Sequence, residues 1–194
     1  MKNEYHVKLQ RVRKYAKANM PQVAYHNFGH IKDVAKVCAL LAKAEELEAY
    51  ETFLLQTAGY MHDIEKEENA AARTTQKVLP YLGYTVQEAK QVACLIPATK
   101  LGTKPKNLLE KILCDADLDN LGRKDFLKKN HLLRVEQNKL GVADTLWFKQ
   151  TYEFLVNHKY YTRAARKRGN EGLVENLSKV ERLLLYLGGF ENAA

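Results

Sequence analysis

Residues 60–63, with the sequence YMHD, place a histidine and an aspartate side by side at the end of an apolar segment with helical periodicity. A pair as short as His62-Asp63 carries little information alone. It gains meaning from YHNFGH at 25–30 upstream and CDADLDN at 114–120 downstream. The three stretches offer His, His-Asp and Asp from separate apolar-patterned segments. We therefore predict that these segments converge on one metal ion.

The composition around this stretch favours a helical protein. The chain has 194 residues, of which 46% are hydrophobic, enough for one packed domain. It contains only four prolines and ten glycines, and alanine, leucine, lysine and glutamate are abundant. No long alternation of β-branched and polar residues suggests a sheet. We predict an all-α, single-domain helical bundle over residues 1–194, with about eight to ten helices.

Apolar spacing, glycines and prolines set the expected helix boundaries. The first helix ends before Pro21, and Asn27 is expected to cap a second helix that starts at about His30. The third covers roughly 49–61, so that His62-Asp63 follows its end. The remaining helices are expected at 70–82 (closed by Gly83), 85–96, 108 through Asp117, 125–140, 142–156, 160–167 and 173–187 (ended by Gly188-Gly189).

The net charge and the cysteines indicate what kind of partner the protein binds and in which compartment it is expected. The formal net charge of +8 suits an anionic partner, although a merely basic soluble surface would give the same value. Cys38, Cys94 and Cys114 are odd in number and include no Cys-x-x-Cys pair, so they are expected to be reduced, buried thiols. Residues 1–15 lack the apolar core of a signal peptide, and no apolar run approaches the roughly 20 residues of a membrane span. We expect a cytoplasmic protein with no membrane partner.

The candidate ligand set combines two imidazoles with two carboxylates: His30, His62, Asp63 and Asp117. First-row divalent ions accept both ligand types. Neighbours on a regular helix point about 100° apart, but they can share an ion where a helix ends and its backbone relaxes. Four such ligands leave about two positions of an octahedral ion for water and substrate, and the ion activates that water and polarises a phosphoryl oxygen. Hydrolysis of a phosphate ester is therefore the expected reaction.

Each of these residues also has a plainer interpretation. A His-Asp pair is often surface decoration, and a histidine in the first turn of a helix is often structural. Asp115, Asp117 and Asp119 would fit helix-end solvation, whereas a calcium loop fails because Asn120 stands where glycine is needed. The occurrence of all four ligands, in order, on apolar helices favours the metal site.

His26 precedes His30 by four residues and is the candidate general acid. The two histidines would form a metal-binding pair if one helix ran through both, but Gly29 argues against that. We expect His26 in the preceding loop, near the metal and not bound to it, where it could protonate a leaving oxygen. The alternative is a partly exposed loop histidine without a catalytic role.

The ordered motifs YHNFGH, MHD and DADLDNLG resemble those of the HD superfamily of metal-dependent phosphohydrolases. The resemblance implies a helical domain of the HD type over nearly the whole chain, with the metal ligands His30, His62, Asp63 and Asp117. It selects Asp117 over Asp115 because the family's aspartate follows a small residue. The YHN stretch is also similar to the cyclic-nucleotide phosphodiesterases, in which the histidine matching His26 is the general acid.

Further stretches, IPATK, LLRVE and FLVNHKYYT, resemble a bacterial group of predicted HD phosphohydrolases without a well-defined substrate. The segment between His62-Asp63 and residues 67–69 is shorter than in that group, and Leu101-Gly102 stands where relatives often carry histidine. Two-metal HD enzymes recruit extra histidines, so we expect one tightly held divalent ion. A second, weaker ion could be held by Glu67, Glu68 or substrate phosphate. Mn, Fe, Ni, Co, Zn and Mg all fit these ligand types.

The substrate is expected to be a small phosphorylated molecule, with a nucleotide favoured. Candidates for binding it are Asn27, Lys100 and Arg134, with Lys159 and Arg163 as weaker ones. Each cation could instead be a solvated surface charge, and Arg134 could form a structural ion pair with Glu136. Nucleic acid is not expected, because no stacking platform accompanies the basic segment 159–168. The sequence leaves a homo-oligomer open.

The resulting prediction is a metal-dependent phosphohydrolase, either a phosphomonoesterase or a phosphodiesterase. In this interpretation metal-activated water attacks the phosphate ester, and His26 acts as general acid. The alternative is a sensor module of the same fold that binds metal and nucleotide without turnover.

Overall fold

The computed structural model describes residues 2–188, and the regular structure in that range is helical throughout. Nine α-helices follow one another: α1 (Lys2–Asn19), α2 (Phe28–Ala44), α3 (Ala49–Met61), α4 (Glu68–Val78), α5 (Val86–Leu95), α6 (Leu108–Asp117), α7 (Phe126–Glu136), α8 (Asp144–Asn157) and α9 (Arg163–Tyr186). Short 3₁₀ turns span Leu79–Leu82, Ile96–Thr99 and Asp119–Gly122. The predicted all-α fold and the predicted number of helices are confirmed.

The helix pair α2–α3 forms the centre of the molecule and makes the most extensive contact between any two elements of the described range. Gly59 of α3 lies so close to α2 that a Cβ atom at this position would be 2.8 Å from Ala35 Cα. Because only residues 45–48 connect the two helices, they run antiparallel. His30, in the first turn of α2, and His62, directly after α3, therefore lie at the same end of the pair.

Two apolar clusters hold the helices together. The larger one surrounds α3, whose side chains Phe53, Leu55 and Met61 are almost completely buried. The smaller one joins the end of the chain to the segment after α6, through Leu121, Phe126, Leu155, Val180 and Leu184. The metal-binding candidates belong to helices of the larger cluster, whereas α7 and α8 pack beside it.

The predicted break between residues 167 and 173 is wrong, because α9 runs without interruption through Gly169 and Gly172. These glycines serve a close approach of two backbones. A Cβ atom at Gly172 would clash with the carbonyl oxygen of Gly122, and a Cβ atom at Gly122 would clash with the carbonyl oxygen of Gly169. Only glycine lets α9 lie this near the turn Asp119–Gly122.

Other helix ends follow the predicted signals. Thr85 caps α5 in a capping box with Glu88, and Gly83 ends the preceding turn with a φ of 91°. Gly188 likewise has a positive φ after α9, while Gly189 lies outside the described residues. The helix expected at 125–140 ends earlier, at Glu136.

The structure shows the state of the three cysteines and the length and hydropathy of the helices. All three cysteines are free thiols, but Cys94 is exposed, which corrects the expectation that all are buried. Val92 and Leu95 turn the other face of α5 toward the core. None of the helices in the described range combines the length and hydropathy of a membrane span.

Candidate metal centre

Asn27 fixes the start of α2 and thereby the position of His30. Its side-chain oxygen accepts hydrogen bonds from the backbone N–H groups of Gly29, at 2.8 Å, and His30, at 3.4 Å. Its amide group donates to the carbonyl oxygens of Val23 and Ala24, both at 3.1 Å. The predicted N-cap is confirmed. Because these bonds use both ends of the Asn27 amide, its predicted contact with substrate stays a prediction.

The four predicted ligands come together at one end of α2 and α3. His30 Nε2 lies 3.0 Å from Asp117 Oδ1 and 3.3 Å from Asp63 Oδ2. His62 Nε2 lies 3.2 Å from Asp63 Oδ2 and 3.3 Å from Asp117 Oδ1. Both histidines are buried, and one ligand atom from each of His30, His62 and Asp117 lies within 4.8 Å of the others. Two nitrogens and two carboxylate oxygens thus surround one point.

The hydrogen-bonding state of these groups fits a bound cation. His62 Nδ1 lies 3.0 Å from the carbonyl oxygen of Gly59, so Nδ1 carries the proton that is donated. A neutral His62 then directs the lone pair of Nε2 at two carboxylates, which is unfavourable unless a cation lies between them. Asp63 Oδ2 is buried and has no hydrogen-bond partner among the described residues. A divalent ion would satisfy both groups.

The same residues strongly perturb one another's pKa values. Burial disfavours a charged imidazole, yet the adjacent Asp63 and Asp117 raise the pKa of His62 well above its usual value. Burial likewise opposes ionisation of Asp117, but a positively charged His62 and hydrogen bonds from His30 and His62 lower its pKa to about 2. The site therefore favours negative carboxylates facing a positive charge, which either protons or a metal ion can supply.

Asp115, two residues before Asp117, points away from the histidines. Its buried carboxylate accepts hydrogen bonds from the backbone N–H groups of Tyr161 and Thr162, both at 2.8 Å, and from the Thr162 hydroxyl, at 2.7 Å. Burial raises the pKa of Asp115, while these hydrogen bonds oppose that rise. Asp115 thus joins α6 to the start of α9, and Asp117 is the aspartate that faces the cluster.

His26 lies beside the cluster and is held by Glu136. The ring of His26 is 5.7 Å from that of His30, measured between centroids, and its side chain is 42% exposed. Nδ1 of His26 donates to Glu136 Oε1 at 2.5 Å, since an ionised carboxylate only accepts. The backbone N–H groups of Tyr25 and His26 donate to Oε2 of the same carboxylate. This leaves Nε2 of His26 as the ring nitrogen free to meet a substrate.

Glu136 was missed as the partner of His26 in the sequence analysis, although it lies in the LLRVE stretch. Burial raises the pKa of Glu136, but hydrogen bonds from the His26 side chain and from the backbone of Tyr25 and His26 hold it below its usual value. The suggested Arg134–Glu136 ion pair is absent from the described contacts, because Glu136 bonds to His26 and Arg134 pairs with Asp144 at 2.7 Å.

The cations predicted to bind phosphate lie in different surroundings. Arg134 is buried, and its guanidinium also donates to the carbonyl oxygens of Lys139 and Val142, so it orders the segment between α7 and α8. Lys100 is exposed after the turn Ile96–Thr99. Neither arrangement adds support to a role in substrate binding, and both assignments stay predictions.

In the basic segment 159–168, some cations are paired with other groups and others are exposed. Arg168 forms an ion pair with Asp119 at 2.7 Å, and Arg166 donates to the carbonyl oxygens of Tyr160 and Tyr161. Lys159 and Arg163 are exposed. Two of the basic side chains therefore stabilise the start of α9. Glu67, suggested as a ligand of a second ion, is exposed, and that ion stays a prediction.

Comparison with known proteins finds similarity at the level of structure. No family model and no curated protein sequence matches the chain. The crystal structure of Bacillus subtilis YpgQ in complex with ADP has a TM-score of 0.72 at 18% identity, over 94% of this chain and 95% of that one. A further YpgQ crystal structure has a TM-score of 0.70 at 17% identity, over 92% and 95%.

A predicted HD superfamily hydrolase from an uncultured Thermotogales bacterium has a TM-score of 0.60 at 18% identity, over 93% of this chain and 91% of that one. Sequence identities this low show a shared fold and nothing about function. The alignments extend over nearly the whole length of all the chains. Together with the helix order, they show that this chain shares the fold of these structures, one of which is a predicted HD superfamily hydrolase.

Proposed function

We propose that the protein is a metal-dependent phosphohydrolase acting on a nucleotide or another small phosphate ester. The observation that carries this proposal is the convergence of two imidazole nitrogens and two carboxylates on one buried point, where Asp63 Oδ2 has no hydrogen-bond partner among residues 2–188. The structural likeness to a predicted HD superfamily hydrolase supports the reaction class. The ADP complex of YpgQ and the net charge of +8 support a nucleotide substrate.

The residues proposed to hold the metal are His30, His62, Asp63 and Asp117. A divalent ion bound there supplies a Lewis acid for the phosphoryl group and lowers the pKa of a water molecule. The carbonyl oxygen of Gly59 fixes the tautomer of His62 by accepting a hydrogen bond from Nδ1–H, so that Nε2 faces Asp63 and Asp117 and would be the ligand atom. Asn27 holds the first turn of α2 and with it the direction of His30.

His26 is proposed to supply the proton for the leaving oxygen. Glu136 accepts a hydrogen bond from Nδ1–H of His26 and two backbone hydrogen bonds, so the imidazole is held in one orientation. The ring is partly exposed and lies beside that of His30, and a protonated Nε2 there can donate to a leaving oxygen. Glu136 is thus the positioning residue for His26.

The test is a hydrolysis panel screened with Mn, Fe, Ni, Co, Zn and Mg. It contains aryl phosphates, nucleoside mono-, di- and triphosphates, cyclic nucleotides and alarmones, and so separates phosphomonoesterase from phosphodiesterase activity. We expect turnover of at least one phosphate ester. Nucleotide binding without turnover under any metal would contradict the proposal and favour a non-catalytic sensor.

The His26→Gln variant tests the proton donor within the same panel. We expect unchanged metal content and a fall in turnover of about 10²- to 10⁴-fold, the usual contribution of a general acid. His131→Gln is the matched control, because His131 is exposed on α7. Loss of the metal in His26→Gln would instead make His26 a ligand.

A further inference from the structure

A partly open pocket adjoins the metal centre between α2, the end of α6 and α7. Two of the proposed ligands, His30 and Asp117, form part of its wall. The other charged groups that line it are Asp33, Arg123, Lys129 and Asp119, which is paired with Arg168. None of the phosphate-binding cations predicted from the sequence lines this pocket. A bound anion needs a cation whose hydrogen-bond donors are not already used, so the contacts of Arg123 and Lys129 decide which of them can bind it.

Arg123 is already occupied. Its Nε and Nη2 atoms donate to both carboxylate oxygens of Asp125, at 2.8 and 2.7 Å, and Nη1 lies 3.4 Å from Asp33. A two-pronged arginine–carboxylate pair of this kind is specific in geometry and strong for its size. Arg123 thus orders the start of α7 and holds Asp33 in place.

Lys129 has no comparable partner. Its ammonium nitrogen is 3.8 Å from Asp33 Oδ2, which is beyond hydrogen-bond length, and 5.9 Å from the centre of the Tyr25 ring. Only 19% of the Lys129 side chain is exposed. An ammonium group has three donors, and none of them finds an acceptor within hydrogen-bond distance among the described residues. The long ion pair with Asp33 thus leaves its hydrogen-bond donors available to a bound anion.

The neighbours of Lys129 place it on the side of the metal ligands. The ring of Tyr25 that lies under its ammonium group also packs against the His30 ring, with centroids 5.0 Å apart. Asp33 follows His30 by three residues on α2, so both lie on one face of that helix. Asp33 also contacts Arg123, at 3.4 Å, so its carboxylate has a second cation besides Lys129.

We propose that Lys129 is the phosphate-binding cation of this site and contacts the phosphoryl group of the substrate beside the metal centre. The inference rests on the proposed function, since it places substrate and metal in one pocket. It assigns to α7 two separate contributions, because the helix carries Lys129 near its start and Glu136, which orients His26, at its end.

The experiment measures inorganic phosphate binding to the manganese-loaded protein by calorimetry. Lys129→Met removes the charge and retains the aliphatic chain, and Lys129→Arg restores a cation. We expect about tenfold weaker phosphate binding in Lys129→Met and near wild-type binding in Lys129→Arg, as expected for loss of one charge-assisted contact. Lys128→Met, an exposed neighbour on the same helix, is the matched control and should bind as the wild type does.

Manganese content and thermal melting of each variant show whether the site and the fold are intact. Phosphate binding of wild-type strength in Lys129→Met would overturn the inference, as would loss of binding in Lys100→Met alone or no phosphate binding by the wild type. The hydrolysis panel is a separate readout. A protein without turnover whose phosphate binding depends on Lys129 would contradict the proposed function and support the binding site.

Discussion

Two aspartates separated by a single alanine have opposite surroundings in this protein. Asp117 faces His30 and His62, whereas the carboxylate of Asp115 receives three hydrogen bonds from residues 161–162. Both residues lie near the end of α6, but their side chains leave the helix in different directions and therefore contact different partners. At the residue scale, the proposed chemistry depends on one of them and the attachment of α9 on the other.

The pair allows a direct test of the ligand assignment. Asp117→Asn should lose most of its bound metal, because one of four ligands loses its charge, and it should keep the fold. Asp115→Asn should retain the metal and lose about 1–3 kcal/mol of unfolding free energy, since buried N–H groups lose a charged acceptor. Elemental analysis and urea unfolding check both results. Metal loss from a folded Asp115→Asn, with metal retained in Asp117→Asn, would show that the assignment is wrong.

The candidate ligands can be predicted from the sequence, whereas the groups around them cannot. His30, His62 and Asp117 stand at helix ends that caps and apolar spacing reveal, so their convergence could be predicted. The bond from His26 to Glu136 spans 110 positions and depends on how α7 packs, which local spacing does not encode. The position of the Lys129 ammonium group, which has only a long ion pair with Asp33, depends on the same packing, and no motif pointed to it.

At the scale of elements, α9 shows how a glycine can be misinterpreted. Gly169 and Gly172 resemble helix breakers in the sequence, and a break was predicted there. In the structure they lie inside one helix. The missing side chain of Gly172 lets this helix touch the turn that contains Gly122, and that of Gly169 leaves room for the Tyr160 ring. Sequence periodicity finds helices well, but it does not distinguish a glycine that ends a helix from one that admits a neighbour.

Gly172→Ala tests this close approach. Helix propensity alone would favour alanine by about 1 kcal/mol, but the added Cβ meets the Gly122 carbonyl oxygen. We expect a net loss of about 1–3 kcal/mol of unfolding free energy, measured by urea denaturation. Gly141→Ala is the control, because no heavy atom lies within 4 Å of a Cβ there, and it should be nearly neutral. A more stable Gly172→Ala would refute the close contact.

At the scale of the whole molecule, the fold could be predicted from the sequence in more detail than the substrate. Three short motifs indicated the HD superfamily fold, and structures at 17–18% identity share that fold over more than nine-tenths of this chain. The helical bundle follows from apolar periodicity, which many sequences can satisfy. A substrate is recognised by a few side chains whose positions depend on all the packing between α2, α6 and α7, so it could not be predicted with the same detail.

A partly buried histidine outside the site should affect the stability of the whole molecule. His158 packs between Phe154 and Tyr160, and burial lowers its pKa to about 4. Above the unfolded-state pKa of about 6.5, both states are neutral and His158 adds no pH dependence. As the pH falls from about 6.5 to 4, the unfolded chain binds a proton that the folded protein does not. The wild type should therefore lose stability in that interval.

His158→Gln removes this titration. Relative to the variant, the wild type should lose about 1–2 kcal/mol of unfolding free energy between pH 7 and pH 4.5, a value reduced for solvent screening. Urea unfolding at the two pH values measures the difference, and the metal centre is common to both proteins. His131→Gln, at an exposed position, should show the pH dependence of the wild type. An equal stability difference at both pH values would contradict the expectation.

The close approach of Gly59 to Ala35 also bears on the order in which the chain assembles. Helices α2 and α3 follow each other directly, so their pairing closes a short loop at a small loss of chain entropy. Packing α6 onto these two helices closes a longer loop, and during synthesis it can occur only after residues 108–117 have been added. A growing polypeptide that has formed only the α2–α3 hairpin therefore already holds His30, His62 and Asp63 at one end. Asp117 arrives last, and its arrival closes the site.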